Sequence, residues 1–237
     1  MEKRRQVLLC GALIATSEKI RQGALLIEGE RIGRIWYADG HGLTENNGEA
    51  VSLEALAEKL KSENAELETV WLDGKVIMAG GIDAHVHFRE PGMTAKADMS
   101  TESRAALLGG ITSFIDMPNT NPPATSIDRI REKAALADGH SYANWGFHIG
   151  ADNENPDAIA SMLKVNAAAR EFAAVKVFMG SSTGNMLVDH GEALEKLFSI
   201  ENARILIHSE DEATIKANLE KAVAQFGEDI PMKEHEN

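Results

Sequence analysis

Ala173-Ala174-Val175-Lys176-Val177-Phe178-Met179 is an apolar run with one lysine inside it. Successive residues of a strand face opposite sides, so a run apolar on both faces predicts a strand buried on both faces, the condition of a parallel sheet covered by helices. Ile205-Leu206-Ile207 repeats the pattern. Outward from these two runs the chain alternates. Strands are predicted over 76–82, 111–117, 142–149, 173–178 and 204–208, and helices over 98–108, 126–137, 156–172, 191–200 and 212–226. Parallel neighbours need crossover connections, which the intervening helices supply. Periodicity alone leaves a doubly wound sheet and a barrel both open. His85, Asn119, Lys176 and His208 fall in or just after the C-terminal ends of different strands. That distribution suits a TIM-like (β/α)8 barrel, whose reactive rim gathers all its strand ends, better than the single crevice of a doubly wound sheet. The expected fold is therefore α/β, with the first five units of such a barrel in residues 76–237.

Residues 1–75 read differently. Strands are predicted over 6–14, 23–28 and 30–37, with a hairpin where apolar and polar residues alternate from Ala24 to Ile32. Residues 39–70 read as a polar, turn-rich insertion carrying one short helix, marked by Leu53, Leu56, Ala57 and Leu60 at helical spacing. A strand follows around Val70 to Leu72.

Composition narrows the function classes. The chain has 237 residues, enough to bury one sizeable core, and carries 24 Lys and Arg against 37 Asp and Glu, a net charge of −13. Such a field repels nucleic-acid phosphates and anionic lipid surfaces, so neither is an expected partner. The apolar stretch from Val7 to Ala15 is interrupted by Cys10 and Gly11, is too short to span a membrane, and reads as a buried first strand. Cys10 is the single cysteine, which excludes an intrachain disulfide and fits a reducing, cytoplasmic setting.

The sharpest chemical feature is Gly80-Gly81-Ile82-Asp83-Ala84-His85-Val86-His87-Phe88-Arg89-Glu90-Pro91-Gly92. His85 and His87 are two apart at a strand end, so both imidazoles are aimed to one side, with Asp83 sharing their parity. An isolated pair of this kind is commonly two hydrogen-bonded structural histidines. Its position before a sharp turn favours ligation of one metal ion. His208 offers an imidazole from the fifth strand, although a lone strand-end histidine is as readily structural. Lys176 interrupts its apolar strand, and full burial of an ammonium demands a partner, a depressed pKa or chemical modification. Snorkelling to the rim is the simpler alternative. Carboxylation would turn the amine into an anionic carbamate with two bridging oxygens. Arg89 suits a substrate carboxylate and Asn119 a planar cyclic amide, while an ion pair and a helix or turn cap are their ordinary alternatives. Asp116, Glu90 and His148 read as supporting residues. The polar loop from Gly180 to Asn185 lacks the lysine of a phosphate-binding loop.

Taken together, four segments resemble dihydroorotases of the amidohydrolase superfamily. They are Asp83 to Gly92, Asp116 to Thr120, Val175 to Asn185, and Ile207 to Glu210. The resemblance runs from about residue 76 onward and is looser over 1–75, which would be the first part of a small flanking β-sandwich. It implies two divalent cations, usually Zn²⁺, with His85 and His87 on one, His208 on the other, and carboxylated Lys176 bridging. It also implies Arg89 and Asn119 as substrate-binding groups, interconversion of dihydroorotate and N-carbamoyl-L-aspartate in pyrimidine biosynthesis, and, as the expected assembly, a homodimer. A further histidine ligand and a general acid/base aspartate of that family have no counterpart in these residues. Allantoinases and hydantoinases share the His-x-His and bridging-lysine logic. Arg89 favours dihydroorotate because that ring bears a carboxylate. A non-catalytic homologue acting as an assembly partner is the alternative outside enzymology.

Overall fold

A computed structural model describes residues 5–38, 42–44, 50–165, 170–180 and 186–236. The chain divides into two compact units, Met1–Ala79 and Gly80–Asn237.

The first unit is built on a sheet of five strands. These are β1 (Gln6–Ala15), β2 (Ile20–Glu28), β3 (Arg31–Tyr37), and, later in the chain, β6 (Glu68–Trp71) and β7 (Val76–Ile77). Their order is β3-β2-β1-β6, with β7 also pairing β1. The alternation of Leu8, Cys10, Ala24 and Leu26 puts these side chains on one face, and the antiparallel register sets Leu8 against Leu26 and Cys10 against Ala24. The short pair β4 (Leu43–Thr44) and β5 (Ala50–Val51) precedes α1 (Leu53–Glu63), whose Leu56 and Ala57 close the cluster. Ser52 caps α1, its Oγ accepting the Ala55 N–H at 3.1 Å. Besides the five-stranded sheet, the described residues of this unit hold only the β4–β5 pair, so the second full layer expected of a sandwich is not seen among them. The expected strand over 76–82 is divided: Val76–Ile77 pairs with β1 at Leu13 and Ile14, and the next strand starts only at Gly81. Its apolar residues serve two sheets, which periodicity cannot reveal.

The second unit alternates β8 (Gly81–Val86), α2 (Met99–Leu108), β9 (Ile111–Asp116), α3 (Ile127–Ala137), β10 (Asn144–Phe147), β11 (Ile149–Gly150), α4 (Pro156–Leu163), β12 (Val175–Phe178), α5 (Gly191–Phe198), β13 (Ile205–His208) and α6 (Glu212–Phe226). All strand pairs are parallel. They form the ladders β8-β9-β10 and β11-β12-β13. Only His148 separates β10 from β11: one expected strand turns its first part to β9 and its last residues to β12, a stagger of the kind a tilted, curving sheet requires. The strand order follows the chain with no reversal, whereas a doubly wound sheet reverses at its switch point. The structure is thus a mixed α/β unit with a partial parallel sheet wound in one sense. Phe114, Phe147, Ile149, Ile159, Val175, Val177 and Leu197 form much of its core.

Two boundaries differ from the periodicity. The helix predicted to reach 172 stops at Leu163, where the Arg170 guanidinium donates to the Leu163 carbonyl at 3.0 Å and occupies a helix-end acceptor. The β12 strand starts at Val175 rather than Ala173. The loop residues 181–185 lie outside the described residues.

Candidate metal centre

β8 ends at Val86, and the chain then turns sharply. Arg89 adopts φ 66°, a left-handed conformation disfavoured for a side-chain-bearing residue. Gly92 at φ 80° passes so close to the Asn121 carbonyl that a Cβ would collide with it. The 88–92 turn and the loop after β9 are also joined by the Asn121 N–H, which donates to the Pro91 carbonyl at 3.1 Å. Glycine at this position is therefore a requirement of close approach.

The His85 and His87 rings lie with centroids 5.5 Å apart. His85 is exposed and His87 half-buried. Asp83, of the same parity, accepts the His85 backbone N–H at 3.0 Å, so it braces the strand. Asn119 is buried, and its Oδ1 lies 2.9 Å from His87 Nδ1. An amide oxygen only accepts, so Nδ1 carries the hydrogen and Nε2 keeps its lone pair, the tautomer a metal ligand needs. Asn119, read from the sequence as a substrate contact, thus also holds a histidine in place. Burial lowers the pKa of His87, with the Arg89 charge acting the same way. For His85 burial again comes first, then the Lys176 charge, with a smaller contribution from His208. Both imidazoles are thereby biased toward the neutral, ligating form.

Lys176 is only 1% exposed. Among the described residues its amine enters no ion pair; Nζ lies 4.6 Å from the Phe178 ring centroid. Burial pulls its pKa down. Snorkelling is therefore excluded, and a depressed pKa is what remains of the alternatives for the unmodified amine. Phe178 pairs in register with His208, and the two rings are stacked at 6.0 Å. His208 Nε2 is 3.1 Å from Glu210 Oε1. Among the described residues, no three His, Cys, Asp or Glu side chains gather as a ready metal cage. The structure brings His85, His87 and Asn119 together, and the charges of Lys176 and His208 reach His85. Arg89 acts on His87 through its charge and enters no ion pair among the described residues.

Three residues carry more than the sequence assigned to them. His148, 2% exposed, donates from Nε2 to the Ala84 carbonyl at 2.9 Å, while its buried Nδ1 has no partner among the described residues. Asp116 and Lys133 form a fully buried ion pair of 2.6 Å. Lys133 was legible in principle: it lies between Ile130 and Ala137 at spacings of three and four, on the apolar stripe of α3.

Residues 76–236 match the amidohydrolase family, and the chain belongs to it. Within that family its curated relatives include several dihydroorotases. That of Halobacterium salinarum is 38% identical over 139 residues, 57% of this chain and 31% of its own length. That of Thermococcus kodakarensis is 27% identical over 207 residues, 86% of this chain and 44% of its own. The chain therefore spans less than half the length of these relatives. Among solved structures, the L-hydantoinase (dihydropyrimidinase) of Arthrobacter aurescens aligns with a TM-score of 0.72 at 24% identity, over 94% of this chain and 45% of that one. The dihydropyrimidinase of Brevibacillus agri aligns at 0.69 and 21%, over 94% and 44%. At these identities the likeness speaks for the fold.

Proposed function

We propose that the intact protein is a metal-dependent cyclic-amide hydrolase that interconverts dihydroorotate and N-carbamoyl-L-aspartate, on a complete (β/α)8 barrel of which this chain supplies the first five units. The observation that carries this reading is the His85/His87 pair at the end of β8, with His87 fixed by Asn119 in the ligating tautomer. The donor chemistry fits a metal pair in part: two imidazoles from β8, one from β13, and the buried Lys176 amine, which burial favours as the neutral base that reacts with CO2. In that reaction the amine nitrogen bonds to carbon, a proton leaves, and the anionic carbamate supplies oxygen donors. Zn²⁺ suits this mixture of nitrogen and oxygen ligands. Bound cations would supply Lewis-acid polarisation of the ring amide and lower the pKa of water.

The chain's own residues would hold and orient. His85, His87, Lys176 and His208 would hold the cations. Arg89 would pair with the substrate carboxylate, two parallel hydrogen bonds fixing the ring in register. In this reading the remaining histidine ligand and the aspartate that moves the proton to the departing ring nitrogen belong to the portion of the relatives that this chain does not span. A homodimer and a cytoplasmic location complete the proposal; no helix among the described residues is long and apolar enough to cross a membrane.

One second reading draws on the same pair of histidines and buried lysine: hydrolysis of an uncharged hydantoin or dihydropyrimidine ring, which has no carboxylate for Arg89 to hold. Turnover of dihydroorotate, allantoin and hydantoin by the intact protein separates the two. Arg89→Leu is expected to lower kcat/KM for dihydroorotate by about 100-fold, the scale of a lost charge-assisted contact, and to spare an uncharged ring. Equal losses on both would remove the carboxylate assignment. A metal-free protein inactive on all three would instead support a binding or assembly role.

A further inference from the structure

Asp116 ends β9 and is fully buried, and its acceptors are divided among three neighbouring elements. Its Oδ1 accepts the Phe88 N–H at 2.9 Å, its Oδ2 accepts from Lys133 Nζ at 2.6 Å, and its backbone carbonyl accepts the His148 N–H at 3.1 Å. Lys133 comes from α3, and its Nζ also donates to the Met117 carbonyl at 2.8 Å. Phe88 lies between His87 and Arg89, the latter in its left-handed conformation. Met117 lies two residues before Asn119, and its own N–H donates to the Val86 carbonyl at 2.9 Å. Both partners of the His87–Asn119 hydrogen bond therefore hang from backbone tied to one carboxylate. A buried ion pair is a poor source of net stability, because removing both charges from water costs about what their attraction returns. What this pair does here is read instead from where its hydrogen bonds go.

We propose that Asp116, oriented by Lys133, is a positioning residue of the candidate metal site: by holding the Phe88 amide it sets the turn that aims His87 and Arg89. This rests on the reading of His87 as a metal ligand, although the geometry it invokes is independent of metal. Two charge-free double variants of the intact protein test it. In Asp116→Asn with Lys133→Met, the amide oxygen still accepts from Phe88. In Asp116→Leu with Lys133→Met, nothing does. The measurements are hydrogen exchange at the Phe88 amide relative to the Val175 amide in β12, and Co²⁺ affinity with its visible absorption spectrum.

The Asn variant is expected to keep most of the Phe88 protection and Co²⁺ affinity of the unmodified protein, losing only what the Lys133 contacts to Asp116 and Met117 add. The Leu variant is expected to lose about tenfold of the relative Phe88 protection, and about 10- to 100-fold of Co²⁺ affinity with an altered spectrum. Equal behaviour of the two variants overturns the proposal, whether both retain or both lose the site. So does a Leu variant that cannot fold when the Asn variant can, because the anchor would then carry the fold and not the site. An unmodified protein that binds no Co²⁺ removes the metal reading alone, and the relative Phe88 protection still decides the positioning role.

Discussion

Lys176 shows how one side chain changes meaning with its surroundings. In the sequence it is a charge inside an apolar strand; in the fold its amine sits against Phe178 with burial pressing it toward neutrality. If it becomes a carbamate, the intact protein is expected to gain the mass of one CO2 in native mass spectrometry, and Lys176→Ala to lose both that mass and most bound metal. Cys10 behaves oppositely. Fully buried, with Glu54 and Asp73 adding to the effect of burial, its thiol is pushed up to about 11. Alkylation at about pH 8 is expected to be negligible in the folded protein and rapid after unfolding, because the thiolate is the nucleophile. Fast native labelling by iodoacetamide would contradict the packing of β1.

His148 carries a pH dependence. Burial lowers its pKa below 6.5, while the charges of His85 and Lys176 press the same way and its bond to Ala84 opposes them. Between the folded value and 6.5 the unfolded chain binds a proton that the folded chain refuses. Stability from this group is therefore complete above 6.5 and falls as pH drops below it. His148→Gln, which keeps an N–H donor for Ala84, is expected to show a smaller fall in unfolding midpoint between about pH 7.5 and about pH 5.5. An unchanged slope in thermal scans would count against the buried neutral imidazole.

At the scale of elements, periodicity located most helices and strands of the second unit because the inner ones bury one face or both against a common core. Its failures have specific causes. The run beginning at Val76 is shared by two sheets, the third strand changes partner at His148, and α4 ends where Arg170 reaches back to its last turn. Caps are local: Asp98 begins α2, its Oδ1 accepting the Thr101 N–H at 2.8 Å. Asp98→Ala is expected to cost about 1 kcal/mol in denaturant unfolding, without shifting metal affinity. Leu56→Ala in α1 removes a side chain 1% exposed and is expected to cost about 2–5 kcal/mol. A loss below about 0.5 kcal/mol would mean that the α1 contact with its sheet is loose.

For the molecule as a whole, charge and surface pull in different directions. A net charge of −13 disfavours self-association. Yet α6 contains no buried residue, and Ile215, Leu219 and Val223, at successive spacings of four, are all exposed, as are Ile82 and Ile207 in the outer strands β8 and β13. Polypeptide of these 237 residues is expected to bind an apolar fluorescent dye and to sediment with a concentration-dependent mass, more so as salt screens its charge. A dye-silent monomer at all salt concentrations would show that these side chains find cover in solution.

The sequence by itself determined the class of architecture and the motif, because burial patterns and a His-x-His at a strand end are properties of neighbouring residues. It also set the sign of the charge. Only the tertiary structure decided that Asn119 meets His87, that Asp116, paired with Lys133, accepts the Phe88 N–H just after His87, and that Lys176 is enclosed. Those contacts join residues far apart along the chain, and whether a polar side chain is buried, and against what, depends on packing that no local pattern encodes.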